Sequence, residues 1–106
     1  MHITKVIAIS GSVSSSGNNL ILTPNAGKRL RLNYVGYNPQ GVTECAFRFG
    51  AGGALFLRYN IAIANSIVMK DLGSSKYLEG NTDESLYLNL TAAVTTIWNV
   101  MYSEVG

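Results

Sequence analysis

Cysteine and histidine each occur once, as Cys45 and His2, and that scarcity removes most of the chemistry open to a small protein. A lone thiol cannot close an internal disulfide, so the fold does not depend on an oxidising compartment. One cysteine and one histidine cannot complete a structural zinc site within the chain. No motif pairs His2 with Cys45 or with a serine as base and nucleophile, and His2, beside the terminal methionine, reads as an exposed residue. The six acidic residues are equally uninformative. Asp83 and Glu84 are adjacent, which on a strand sends them to opposite faces, and no EF-hand spacing surrounds them. The separated Glu44, Asp71, Glu79 and Glu104 have no spacing that marks a glycosidase pair. The expectation is a protein that is not an enzyme and needs neither metal nor cofactor.

Charge is also scarce, at 13% of residues and a net +2, too little for an electrostatic footprint on nucleic acid. Only Lys28, Arg29 and Arg31 lie close together. Alternation puts Arg29 and Arg31 on one face of a strand, where they read as a solvated face or as an edge blunted by charge. Long apolar runs are missing too. None approaches the roughly 20 residues of a membrane-spanning helix, and the run from Val6 to Ile9 is too short for a secretion signal. Membrane insertion and export by that route are not expected, and synthesis in the cytoplasm is.

What the chain does have is apolar residues, 47% of it, arranged with period two. With so little charge, part of the surface is expected to be covered by a partner or by copies of the chain itself. At 106 residues the working expectation is one domain, 1–106, with one core. Residues 3–10 read as a first strand, apolar on both faces, with Ile3, Ile7 and Ile9 alternating with Thr4, Val6 and Ala8. A mobile Ser, Gly and Asn loop over 10–19 follows, so that 1–19 forms a strand or arm.

Residues 20–23 make a short strand. In 28–37, Leu30, Leu32 and Tyr34 fall on one face and Arg29, Arg31 and Asn33 on the other. A turn at Asn38-Pro39-Gln40-Gly41 leads to 42–49, and the pair reads as a hairpin. There, Cys45 shares the apolar face of Phe47 and Phe49, as a buried small hydrophobe. Gly50-Ala51-Gly52-Gly53 lacks the helix and the Lys of a phosphate loop and reads as a hairpin turn into 54–59. An irregular crossing and a strand occupy 60–70. Gly73-Ser74-Ser75 is a turn, 76–79 a short strand and 80–83 another turn. Leu86, Leu88 and Leu90 make the clearest core face. The last strand, 95–105, places Trp98, Val100 and Tyr102 on one face and Ile97, Met101 and Val105 on the other. The fold expected is an all-β antiparallel sandwich of about eight strands with jelly-roll or Greek-key connections.

The succession Gly17-Asn18-Asn19-Leu20, then Ala26-Gly27-Lys28-Arg29-Leu30-Arg31-Leu32, then Leu86-Tyr87-Leu88-Asn89-Leu90-Thr91-Ala92-Ala93-Val94, closing with Tyr102-Ser103-Glu104-Val105, resembles small virion proteins of tailed bacteriophages. Its motifs are turns and strands, and the stretch 53–79 matches least. The resemblance implies a head decoration protein of the virion: a homo-oligomer, commonly a trimer, that binds the major capsid protein or another virion protein from outside and reinforces the shell against DNA pressure. The two-faced terminal strands make Ile3, Val6, Ile7, Ile9, Ile97, Met101 and Val105, with Arg29 and Arg31, the candidate interface, and residues 2–19 the candidate arm. Six tyrosines and one tryptophan also admit a carbohydrate-binding module, and a tail or neck component shares the same fold.

Overall fold

The computed structural model describes residues 5–72 and 78–106, and all regular structure within them is β. Nine strands follow in order: β1 Ile7–Val13, β2 Gly17–Leu22, β3 Arg29–Pro39, β4 Thr43–Phe49, β5 Phe56–Ile61, β6 Val68–Asp71, β7 Leu78–Glu79, β8 Leu86–Leu90 and β9 Thr96–Val105. They form two antiparallel sheets, β1-β9-β3-β6 with β7 also on β3, and β2-β8-β4-β5. Because β6 and β7 pair with adjoining stretches of β3, Tyr34 to Tyr37 and Arg31 to Leu32, they act as one interrupted edge strand. Counted that way, among the described residues the sandwich has eight strands in jelly-roll order, consecutive strands alternating between the sheets except for the β4–β5 hairpin.

The core lies between the sheets. Leu30, Leu32, Val35, Tyr37, Trp98, Val100 and Tyr102 come from the first, and Cys45, Phe47, Leu86, Leu88 and Leu90 from the second. The Tyr37 and Phe47 rings meet across the layers with centroids 5.7 Å apart. The alternation read from β8 and β9 is thus the alternation observed, and Cys45 is fully buried.

Several boundaries differ from the sequence reading, each for a physical reason. The first strand runs three residues further than residue 10, and the expected loop over 10–19 is mostly strand. Ser10, Gly11 and Ser12 pair with Asn99, Trp98 and Ile97. Gly11 belongs there because the Trp98 indole fills the space a side chain would need: a Cβ would stand 2.8 Å from Cζ2. From Ile7 onwards the chain is therefore built into the sheets and is not an arm. Ile3 and His2 lie outside the described residues, as does the turn at Gly73-Ser74-Ser75.

β3 and β4 do not form a hairpin. β3 is paired along one side with β9 and along the other with β6 and β7, so residues 40–42 carry the chain across to the other sheet. Asn38 and Pro39 belong to the strand, opposite Ile97 and Thr96. Pro39 is tolerated because it ends β3 beyond the reach of β6. Within β3 the register shifts between Leu32 and Tyr34. That bulge inverts the phase, so Leu30, Leu32, Val35 and Tyr37 point inward and Tyr34 joins the outer face, not the Leu30 face. The turn at 50–53 does connect a hairpin, β4 to β5.

A candidate assembly surface

Jelly-roll connectivity brings alternate loops to the same end of the sandwich. At one end lie residues 14–16, 40–42, 62–67 and 91–95. Their proximity follows from the pairings Val13 with Thr96, Thr43 with Ile61 and Tyr37 with Val68. It is fixed by hydrogen bonds from Gln40 N–H to the Thr95 carbonyl and from Asn65 N–H to the Pro39 carbonyl, both 2.8 Å. Segments 12–17, 38–43, 60–67 and 91–97 contain no Lys, Arg, Asp or Glu. Here Val42, Ile63 and Ile67 stand 61%, 73% and 62% exposed. Asn65, in the left-handed region at φ 68°, turns the 62–67 loop outward, and the Ser66 hydroxyl closes it by donating to the Ile63 carbonyl at 2.8 Å.

From this end the apolar surface continues onto the outer face of the first sheet. Ile97 lies opposite Asn38, Met69 opposite Gly36, and Met101 between Ala8 and Tyr34. Ile97, Met69 and Met101 are all exposed. A shallow depression of about 330 Å³ opens here, lined by Ala8, Ser10, Tyr34, Asn99 and Met101. The Tyr34 hydroxyl donates to the Met69 sulfur at 3.1 Å, spanning Gly36. Glycine eases the approach at that point: a Cβ would come within 3.2 Å of the Val68 carbonyl oxygen and 3.5 Å of the Tyr34 hydroxyl.

The opposite end is polar and charged. Arg29 and Arg31 both meet Glu79, Nη1 to Oε1 at 2.6 Å and Nε to Oε2 at 3.2 Å. Asp83 accepts from Gly27 N–H at 2.6 Å, and Glu104 accepts from the Asn25 side chain at 2.8 Å. The outer face of the second sheet is mixed: Asn18 accepts from Asn89 at 2.8 Å and Arg58 pairs with Glu44, while Leu20, opposite Tyr87, and Tyr59 are exposed singly.

The sequence-derived interface residues are therefore scattered. Ile97 and Met101 reach the apolar outer face, and Val6, just before β1, is exposed. Ile7 and Ile9 point inward and pack half-buried on the core, so β1 is not apolar on both faces: its outer row is Ala8, Ser10 and Ser12. Val105 is half-buried opposite Arg29, at the charged end with Arg31. Val42, Ile63, Ile67 and Met69 were not singled out from the sequence. Three of them are loop residues with no period to read, although the charge-free composition of 60–67 is visible without a structure.

No constellation for chemistry accompanies this surface. Among the described residues no three or more His, Cys, Asp or Glu side chains gather in a metal-binding group, and no helix is long and apolar enough to cross a membrane. Burial, with the Glu44 carboxylate nearby, pushes the Cys45 thiol up to about 11, which keeps it protonated and unreactive at neutral pH.

No family model matches the chain, and no curated protein matches its sequence. Among solved structures it is similar to a chain whose subject is stated as "Bacillus endospore appendages form a novel family of disulfide-linked pili". The TM-score is 0.49 and the identity 17%, over 96% of this chain and 85% of that one. A likeness this distant bears on neither assembly nor function.

Proposed function

We propose that this chain is a structural, non-catalytic subunit that works by docking, and that its place is the outer surface of a tailed-phage head, where it binds and reinforces the shell. The observation that carries docking is the charge-free end, where Val42, Ile63 and Ile67 stand in water next to the apolar outer face of the first sheet. Exposed apolar side chains gathered at one place mark a contact surface, whereas scattered ones carry no such meaning. Covering an Ile or Val side chain yields about 1.5–3 kcal/mol, so three of them supply the apolar part of one contact. The choice of a phage head over any other scaffold rests on the sequence resemblance alone.

The test is co-sedimentation of the full chain with undecorated tailed-phage shells. Binding that Ile63→Asp and Ile67→Asp reduce by about tenfold or more, with the β-sheet circular dichroism unchanged, supports the proposal. Absence of binding, or binding indifferent to both substitutions, overturns it.

A further inference from the structure

Among the described residues the two sheets present four edge strands, and three of them carry features that hinder further pairing. β2 has a register shift between Leu20 and Leu22, and next to its start the Asn19 amide draws the chain in by donating to the Ser15, Gly17 and Leu88 carbonyls at 2.7, 3.3 and 3.3 Å. β5 is distorted by Leu57 at φ 50° and by the register shift opposite it, and it carries Arg58 in an ion pair with Glu44. The edge formed by β6 and β7 is interrupted and bears Lys70, Asp71 and Glu79. These are the usual devices that keep a sheet from growing: bulges, charge and short strands.

β1 has none of them. Its seven residues, Ile7–Val13, pair with β9 in unbroken register and include no charge and no proline. Every second residue directs its N–H and C=O away from β9, ready for another strand. Among the described residues no strand lies beyond β1, and Ile7, Ile9 and Val13, which face the core, stay half-buried.

We infer that β1 is an assembly edge and that its occupant is β1 of a second copy, paired antiparallel about a two-fold axis. The sequence is self-complementary for that arrangement. Directly opposed residues in an antiparallel pair share a face, so a register centred on Ser10 sets Ile7 against Val13, Ile9 against Gly11 and Ala8 against Ser12. Apolar meets apolar toward the cores, and small side chains meet on the outer face. No like charges come together, since Lys5 falls opposite Ser15 of the second copy. Pairing would join the two first sheets into one continuous sheet and extend the half-buried Ile7, Ile9, Val13 row across the junction. This inference stands apart from shell docking, which uses the charge-free end.

The mass of the full chain in solution, by light scattering and sedimentation, tests it. A dimer is expected. Ser10→Lys, at an exposed position of the free edge, is expected to raise the dimer dissociation constant by about tenfold or more while the folded spectrum persists. Should that variant fail to fold, Ser12→Lys reads the same edge. Under oxidation, Ser10→Cys, which faces its own copy, is expected to cross-link the dimer, as is the double variant Ala8→Cys with Ser12→Cys, whose thiols are opposed across the junction, and Asn99→Cys, in mid-sheet, is not. A monomer, a trimer, a dimer untouched by both lysine variants, or cross-linking no better than at Asn99→Cys overturns the pairing. A monomer that still binds shells overturns the edge and leaves docking intact; a dimer that binds no shell does the reverse.

Discussion

The Tyr37 hydroxyl of the first sheet donates a 2.7 Å hydrogen bond to the Leu57 carbonyl of the second. Leu57 sits at φ 50°, a conformation that costs a non-glycine residue about 1–2 kcal/mol. The same hydroxyl lies 3.3 Å from the Cys45 carbonyl, so one phenol ties two strands of the far sheet to the core. Tyr37→Phe leaves these part-buried carbonyls short of a donor and is expected to lower stability by about 1–3 kcal/mol in urea unfolding. A change below about 0.5 kcal/mol would show that water replaces the phenol without loss.

The approach of Trp98 to Gly11 predicts a different signature. Gly11→Ala places a methyl group 2.8 Å from the indole Cζ2, and either the ring or the edge strand must move. The expected cost is about 1–3 kcal/mol with a shift in tryptophan fluorescence, because overpacking forces displacement. Gly17→Ala is the control: nothing lies within 4 Å of its Cβ, but φ is +88°. It too should destabilise, by about 1 kcal/mol through backbone strain, with the fluorescence unchanged.

Alkaline pH should weaken the fold before neutral or mildly acid pH does. Cys45 titrates at about 11 in the folded protein against an ordinary value of 9.0, and burial also raises Tyr37. The unfolded chain therefore releases the Cys45 proton at lower pH than the folded one. Stability from this group is complete below pH 9 and falls as pH rises towards about 11, by about 2–3 kcal/mol in all. Denaturant midpoints between pH 8 and 11 would show the decline, and Cys45→Val should make it shallower. At pH 8 a thiol reagent should label the native protein only as fast as it opens.

Glu79, between Arg29 and Arg31, should matter less than its geometry suggests. The three groups are partly solvated, and such pairs contribute at most about 1 kcal/mol. Glu79→Gln is expected to lower the thermal midpoint slightly at low salt and not at all in strong salt.

How much of this was legible in the sequence depended on whether a feature is local. The Leu86, Leu88, Leu90 row and the Trp98, Val100, Tyr102 row follow from period-two spacing, as does the burial of Cys45 beside Phe47. The outward placement of Tyr34 does not, because a bulge at Asn33 is a property of pairing with β9 and has no local mark. Ser10-Gly11-Ser12 reads as loop until the distant Trp98 supplies the reason for glycine. The crossing at 40–42 reads as a hairpin until both sides of β3 are seen to be taken. At the candidate surface, Ile97 and Met101 were visible from strand alternation. Val42, Ile63 and Ile67 come to the same end only because jelly-roll connectivity brings their loops there.

The separation of charge along the molecule, whose longest dimension is 46 Å, means that its two ends answer to different variables. Salt and pH act on the Arg29, Glu79, Asp83 and Glu104 end and barely reach the other. Temperature and cosolvents that alter apolar hydration act on the Ile63 end and leave the ion pairs nearly untouched. Charge and exposed apolar area thereby reside in separate groups of residues, and substitutions can adjust one without disturbing the other.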